Sequence, residues 1–308
     1  MPEGSRRVAV IDIGSNSTRL LVADVEDGRV SVVARRSTVT RLGRGVDLSG
    51  RLAAEAVEAA CAAVDPYVAT LKELGAEAVD AVATSAVRDA ENGAAFIAEL
   101  RERFDLSARV LDGDEEARLT YLGATSETAP EVPTLVIDIG GGSTEMIVGV
   151  DREIAFHTSL QAGVVRHTER HLTSDPPTPT ELEEMATDLR GLIEEATLRA
   201  PRAEAGIAVA GTPTSLAAIE LELEPYDSSK VHGHVLELPS IQRMLSTLAS
   251  APLARRMEIP GMHPDRAPTI VAGVVTLVEA MRAFDLDRIT VSEHDILYGV
   301  AIALADSI

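Results

Sequence analysis

Apolar positions along the first part of the chain come in short runs separated by turn residues, the pattern of strands. Val8–Ile11 is such a run, and Asp12-Ile-Gly14-Ser-Asn-Ser17 follows it as a turn. Thr18–Val25 reads as a second strand, Asp27-Gly28 as a tight hairpin, and Val30–Arg36 as a third strand. Three strands of antiparallel type before any helix differ from a plain βαβ opening. Ala53–Leu74 then has helical spacing and ends at Gly75, a suitable C-cap, with Pro66 expected to kink or interrupt it. Ala78–Thr84 reads as a buried strand, Ala94–Arg103 as a helix, Ala108–Leu111 as a short strand and Glu115–Gly123 as another helix.

The pattern then restarts. Ser126–Pro133 is polar, carries two prolines and is the best candidate linker of this half. Thr134–Ile137 is again an apolar strand, followed by Asp138-Ile-Gly140-Gly-Gly-Ser-Thr-Glu145 and by strand patterns at Met146–Val150 and Glu153–Ser159. Val-Ile-Asp12-Ile-Gly14-Ser and Val-Ile-Asp138-Ile-Gly140-Gly match at five residues in register, an internal repeat at the scale of a duplicated domain. Thr180 with Glu183 suggests a capping box for a helix to about Arg199. Gly206–Ala210 reads as a buried strand ending in the turn Gly211-Thr-Pro-Thr214, with a helix after it to about Leu223. A short strand near Arg288–Ser292 precedes a last helix near Glu293–Ala305. The expected organisation is an α/β domain over 1–124 and a second over 125–308, with the final helix, about 296–308, able to pack back on the first.

Composition narrows the function. The chain has 308 residues, 28 Lys+Arg against 49 Asp+Glu, and a net charge of −21. A field of that sign disfavours nonspecific binding to nucleic acid or anionic membrane. It also opposes anionic substrates unless backbone amides, a metal ion or a few placed arginines compensate. There is no Trp and only 3% aromatic content, so stacking platforms for single-stranded nucleic acid are not expected. Cys61 is the only cysteine, which excludes an intrachain disulfide and a Cys-based metal site. No signal-peptide pattern and no apolar run of about 18–20 residues occurs, so a cytoplasmic protein without membrane contact is expected.

The two glycine turns carry the chemistry. A strand ending in Asp-Ile-Gly sets a carboxylate at the carboxyl edge of a sheet, and glycine lets the backbone amides approach a ligand closely. Gly14, Ser15, Asn16 and Ser17 in the first turn, and Gly140, Gly141, Gly142, Ser143 and Thr144 in the second, are candidate phosphate cradles built from uncharged donors. A hairpin needs glycine too, but neither the aspartate nor the hydroxyl residues. Asp138 and Glu145 could face one site and hold Mg2+ or another divalent cation, with Asp12 as the equivalent acid of the first turn. Arg88, in Thr84-Ser-Ala-Val-Arg-Asp-Ala-Glu-Asn92, could fork onto a phosphate or bridge Asp89 or Glu91 at the surface. Gly211 and Thr212 form a third, weaker strand-end turn. The acids of Gly113-Asp-Glu-Glu-Ala-Arg118 suit a helix N-terminus by charge alone. His232-Gly-His234 lacks helical metal spacing and fits a loop or substrate rim. Walker and Gly-x-Ser-x-Gly signatures are absent.

Together, and in this order, the runs at 10–17, 84–92, 113–118, 138–145 and 211–214 resemble the exopolyphosphatase/guanosine pentaphosphate phosphohydrolase family over essentially the whole chain. The resemblance implies two RNase H-like domains of the actin-like ATPase superfamily flanking a cleft. It implies that Glu116 is the base that activates water, that Asp138 and Glu145 bind the metal, that Gly14–Ser17 and Gly140–Ser143 hold phosphates, and that Arg88 lies on the substrate path. Inorganic polyphosphate or guanosine pentaphosphate is then the substrate, and a homodimer the expected assembly. The similarity is to short members without a helical third domain, which points to short polymers. A non-hydrolytic actin-like nucleotide-binding module would keep both loops but would not need Glu116.

Overall fold

The computed structural model describes residues 4–308. They divide into two compact units, one made of the residues through Thr128 together with His294–Ile308, the other of Ala129–Glu293.

In the first unit, β1 (Arg6–Ile13), β2 (Ser17–Glu26) and β3 (Arg29–Val39) form an antiparallel meander. Asp27 and Gly28, which join β2 to β3, both have positive φ (48° and 75°), as a tight two-residue hairpin requires. After α1 (Val46–Ser49) and α2 (Ala54–Glu73) come β4 (Ala78–Ala83), α3 (Ser85–Asp89), α4 (Gly93–Phe104), β5 (Ala108–Val110) and α5 (Gly113–Ala124). The sheet order is β3-β2-β1-β4-β5, with β1, β4 and β5 parallel. Successive side chains of a strand point to opposite faces, and β1 is covered on both. Ala9, Ile11 and Ile13 pack with Cys61, Val64, Tyr67, Phe96 and Leu100 of α2 and α4. Val8 and Val10 pack with Leu119 of α5 and with Leu297, Val300 and Ala301 near the end of the chain. Pro66 does not interrupt α2. Pro66 and Ala62, whose carbonyl loses its usual amide partner, both lie on the exposed face, where water can replace the bond.

The second unit repeats the plan. β6 (Thr134–Ile139), β7 (Thr144–Val150) and β8 (Glu153–Leu160) form the meander. Next come α6 (Val164–His171), α7 (Pro179–Thr197), β9 (Ala205–Val209), α8 (Gly211–Glu220), α9 (Ser228–Val231), β10 (Val235–Glu237), α10 (Leu238–Ser250), α11 (Leu253–Arg256), α12 (Ile270–Ala283) and β11 (Arg288–Val291). The sheet order is β10-β11-β9-β6-β7-β8. Strands β6, β9 and β11 run parallel, and β10 adds an antiparallel edge that its three residues did not announce. The capping box of α7 is Thr178 with Glu181, not Thr180 with Glu183: Pro179 takes the first helical position, which fixes the start two residues earlier. The last helix, α13 (Ile296–Ser307), belongs to the first unit. The fold is mixed α/β with two RNase H-like sheets, as the resemblance implied. Among the described residues no helix is long and apolar enough to cross a membrane.

Candidate active site

Both glycine turns sit where the central strand of each sheet ends, and they fold alike. Gly14 N–H donates to the Ser17 carbonyl at 3.0 Å, and Gly140 N–H to the Ser143 carbonyl at 3.0 Å. A Cβ on either glycine would stand 3.0 Å from that same carbonyl, so the turn itself favours glycine. Carbonyls of each loop are tied down from outside. The Ser15 carbonyl accepts from Gly43 N–H, and that of Asn16 from Thr40 and Arg41. In the second loop the carbonyls of Gly140, Gly141 and Gly142 accept from Val164, Val165 and Gly163 at the start of α6.

The flanking strands then place one residue opposite each aspartate, and here the loops part. Asp12 pairs with Arg19, whereas Asp138 pairs with Glu145. The Arg19 guanidinium reaches Asp12 Oδ2 at 2.7 Å and also bonds Asp295, whose other oxygen caps α13 by accepting from Leu297 N–H at 3.0 Å. Burial pushes the Asp12 carboxyl up against the pull of Arg19. Burial works the same way on Asp295, but Arg19 and Arg35 outweigh it and hold that carboxyl low. Asp12, expected with Asp138 and Glu145 as a metal ligand, is bonded to Arg19 through Oδ2. Asp12 Oδ1 and Asn16 Nδ2 are buried and lack hydrogen-bond partners, which marks this turn as a place for a polar guest.

Parallel strands β1, β4 and β5 bring three more groups to the same sheet edge. Ser15 Oγ lies 2.9 Å from Ser85 Oγ and accepts from Ala86 N–H. Asp112 caps α5 by accepting from Glu115 N–H at 2.8 Å, which sets Glu116 in the first turn with its side chain facing inward. Glu116 is 7% exposed. Burial pushes its carboxyl up to about 7, with Asp12 and Asp89 adding to the shift and Arg88 opposing it. Arg88 is not in a loop but on the short helix α3. Its Nη1 donates to Glu116 Oε2 at 2.8 Å and to the Leu111 carbonyl at 2.9 Å. Arg88 thus bonds the glutamate, and the bridge to Asp89 that the sequence offered is also present, at 4.0 Å. Helices α5 and α13 touch backbone to backbone. A Cβ on Gly123 would fall on the Asp295 carbonyl, and one on Gly299 on the Leu119 carbonyl.

In the second unit Asp138 and Glu145 are both buried, and Ser159 Oγ–H donates to Glu145 at 2.8 Å. Like charges directly opposite across a strand pair are unfavourable alone. Two hard oxygen donors side by side fit a divalent cation that takes its remaining ligands from water and phosphate. Asp138 pairs with Val209 of the neighbouring β9, so the start of α8 lies along the same edge. Gly211 and Thr212 are not a loop but the first turn of α8, entered through Ala210 at φ 71°. A Cβ on Gly211 would meet the Arg266 guanidinium at 2.7 Å. His232 and His234 have local partners: Glu293 N–H donates to His232 Nδ1, and His234 pairs with Glu220 at 2.7 Å.

Sequence reasoning missed Arg19, Asp295 and Arg266. A signal for Arg19 was present, because the seven-residue step from Asp138 to Glu145 lands on Arg19 when counted from Asp12. Asp295 and Arg266 reach their places only through the tertiary fold.

The model of the Ppx/GppA phosphatase family matches residues 21–307. Exopolyphosphatase 2 of Mycobacterium tuberculosis is 37% identical over 315 aligned positions, covering 97% of this chain and 98% of that protein. The Aquifex aeolicus Ppx/GppA family member superposes with a TM-score of 0.84 at 32% identity, over 97% of each chain. An exopolyphosphatase from Cytophaga hutchinsonii superposes with a TM-score of 0.90 at 27% identity, over 98% of this chain and 99% of that one.

Proposed function

The chain belongs to the Ppx/GppA phosphatase family, and from that premise we propose that it is an exopolyphosphatase releasing orthophosphate from the end of short inorganic polyphosphate. The observation that carries the hydrolytic reading is Glu116, buried at the start of α5 with its carboxyl pushed up to about 7. A module that only bound a nucleotide would have no use for a buried carboxyl poised to exchange a proton near neutrality.

In this reading Glu116 accepts the proton of the attacking water, and Arg88 fixes the carboxylate that does so. Water attacks the terminal phosphorus in line, the P–O bond to the chain breaks, and the shortened polymer leaves without a covalent intermediate. The remaining amides of Gly14–Ser17 and Gly140–Thr144, those other than Gly14 and Gly140, which close the turns, would serve phosphate oxygens, together with the hydroxyls of Ser17 and Ser143. Gly211 and Thr212 offer a helix N-terminus beside Arg266 for a further phosphate. Asp138 and Glu145 are the residues that would hold Mg2+ or a similar ion, which when bound neutralises charge on the transferring phosphoryl group. Asp12 acts through Arg19 and is not assigned to the metal. The resemblance extends the reading to a homodimer in the cytoplasm.

Phosphate release from polyphosphate, guanosine pentaphosphate and ATP, each with Mg2+, tests the assignment. Polyphosphate is expected to be consumed fastest. Release from guanosine pentaphosphate but not polyphosphate would move the substrate within the family, and turnover of ATP alone would overturn the reading.

A further inference from the structure

The second unit holds a side-chain cluster that the phosphatase reading does not use. His167 and His171 stand four residues apart on α6, so they share one face of the helix, and their rings stack at 5.7 Å. Asp188 of α7 comes up to the pair. Its Oδ2 is 2.9 Å from His171 Nε2 and 3.6 Å from His167 Nε2, and the three candidate donor atoms all lie within 4.8 Å of one another. His167 is fully buried; the Gly163 backbone interacts with its ring, but neither ring nitrogen makes a hydrogen bond of good geometry. A buried polar ring left in this state has an unmet need.

We propose that His167, His171 and Asp188 form a site for one divalent transition-metal ion of the zinc type. Two imidazoles and one carboxylate are a donor set that zinc accepts readily and that Mg2+, which prefers oxygen alone, does not. Three protein ligands leave the fourth position to water. An imidazole ligates a metal in its neutral form. Among the described residues Arg170 faces the cluster, 3.7 Å from Asp188. It is 41% exposed and can turn to solvent when a metal neutralises that carboxylate.

The position gives the site a structural task. α6 begins at the amides that hold the carbonyls of Gly140, Gly141 and Gly142, and Asp188 would tie the far end of that helix to α7. An ion here would fix the helix that holds the second glycine loop. This inference rests on its own residues and not on the substrate assigned above.

The test uses metal-free full-length protein in excess Mg2+, titrated with Co2+ and then Zn2+. We expect one equivalent of Co2+ to produce visible d–d absorption, Zn2+ to displace it, and Zn2+ to raise the melting temperature. His171→Gln and Asp188→Asn, both at partly exposed positions, should each weaken binding by about tenfold or more and remove the absorption. The proposal is overturned if the wild type takes up no Co2+, or if both variants bind it with the same affinity and spectrum as the wild type.

Discussion

The two glycine loops are one design with one position changed. Each ends a central strand in Asp-Ile-Gly, turns through the same Gly-to-Ser hydrogen bond, and enters the next strand with its seventh residue opposite the aspartate. In the first loop that residue is Arg19, which bridges Asp12 to Asp295. In the second it is Glu145, and two buried carboxyl groups stand opposite each other. Duplication therefore need not copy an electrostatic environment: a single charge reversal at one register position turns an acid–arginine pair into a pair of acids.

Glu145→Arg tests this most severely, because it rebuilds the second loop in the image of the first. Polyphosphate hydrolysis should fall by about a thousandfold, as losing several kcal/mol of charge stabilisation requires, and the dependence of the residual rate on Mg2+ should vanish. Retained metal dependence would break the comparison. Arg19→Met makes the converse change, leaving Asp12 and Asp295 buried without their cation. It should cost about 3–5 kcal/mol of stability in urea unfolding. A variant as stable as the parent would show that the Arg19 bridge contributes nothing to the fold.

Glu116→Gln should lower kcat by about a hundredfold. The wild-type rate should rise with pH through about 7, because the ionised carboxylate is the base and it forms above that value. The variant should lose that limb in a pH–rate profile. The smallest effect is expected from Ser85→Ala, which removes the hydroxyl contact to Ser15 while Ala86 N–H still holds the Ser15 oxygen. A loss of about 1 kcal/mol in thermal unfolding is expected, with little change in Mg2+ dependence.

The fold was legible where pattern and repeat agree. Val8–Ile11 and Thr134–Ile137 are apolar without alternation because helices cover both sheet faces, and each run ends in the same turn. Glu116 was singled out only by the family resemblance, its helix-start position alone suiting plain charge compensation. Its raised carboxyl was not legible, since burial and the neighbouring Asp12, Arg88 and Asp89 come from separate segments. Propensity misled locally at Pro66, where the lost bond faces water, and at Gly211–Thr214, where small and turn-forming residues begin a helix. The three-residue strand β10 has too little pattern to be read at all; its pairing with β11 decides it. His167 and His171 have helical spacing, but only Asp188, brought in by α7, makes a cluster of them.

The close approach of α5 and α13 also has a bearing on synthesis. The helix that carries Glu116 is packed against one that leaves the ribosome only after the whole second unit has been made. Until then the Asp295 end of the Arg19 bridge is missing and the apolar flank of α5 lies bare. A nascent or prematurely terminated chain thus holds the helix of Glu116 without the helix it packs against.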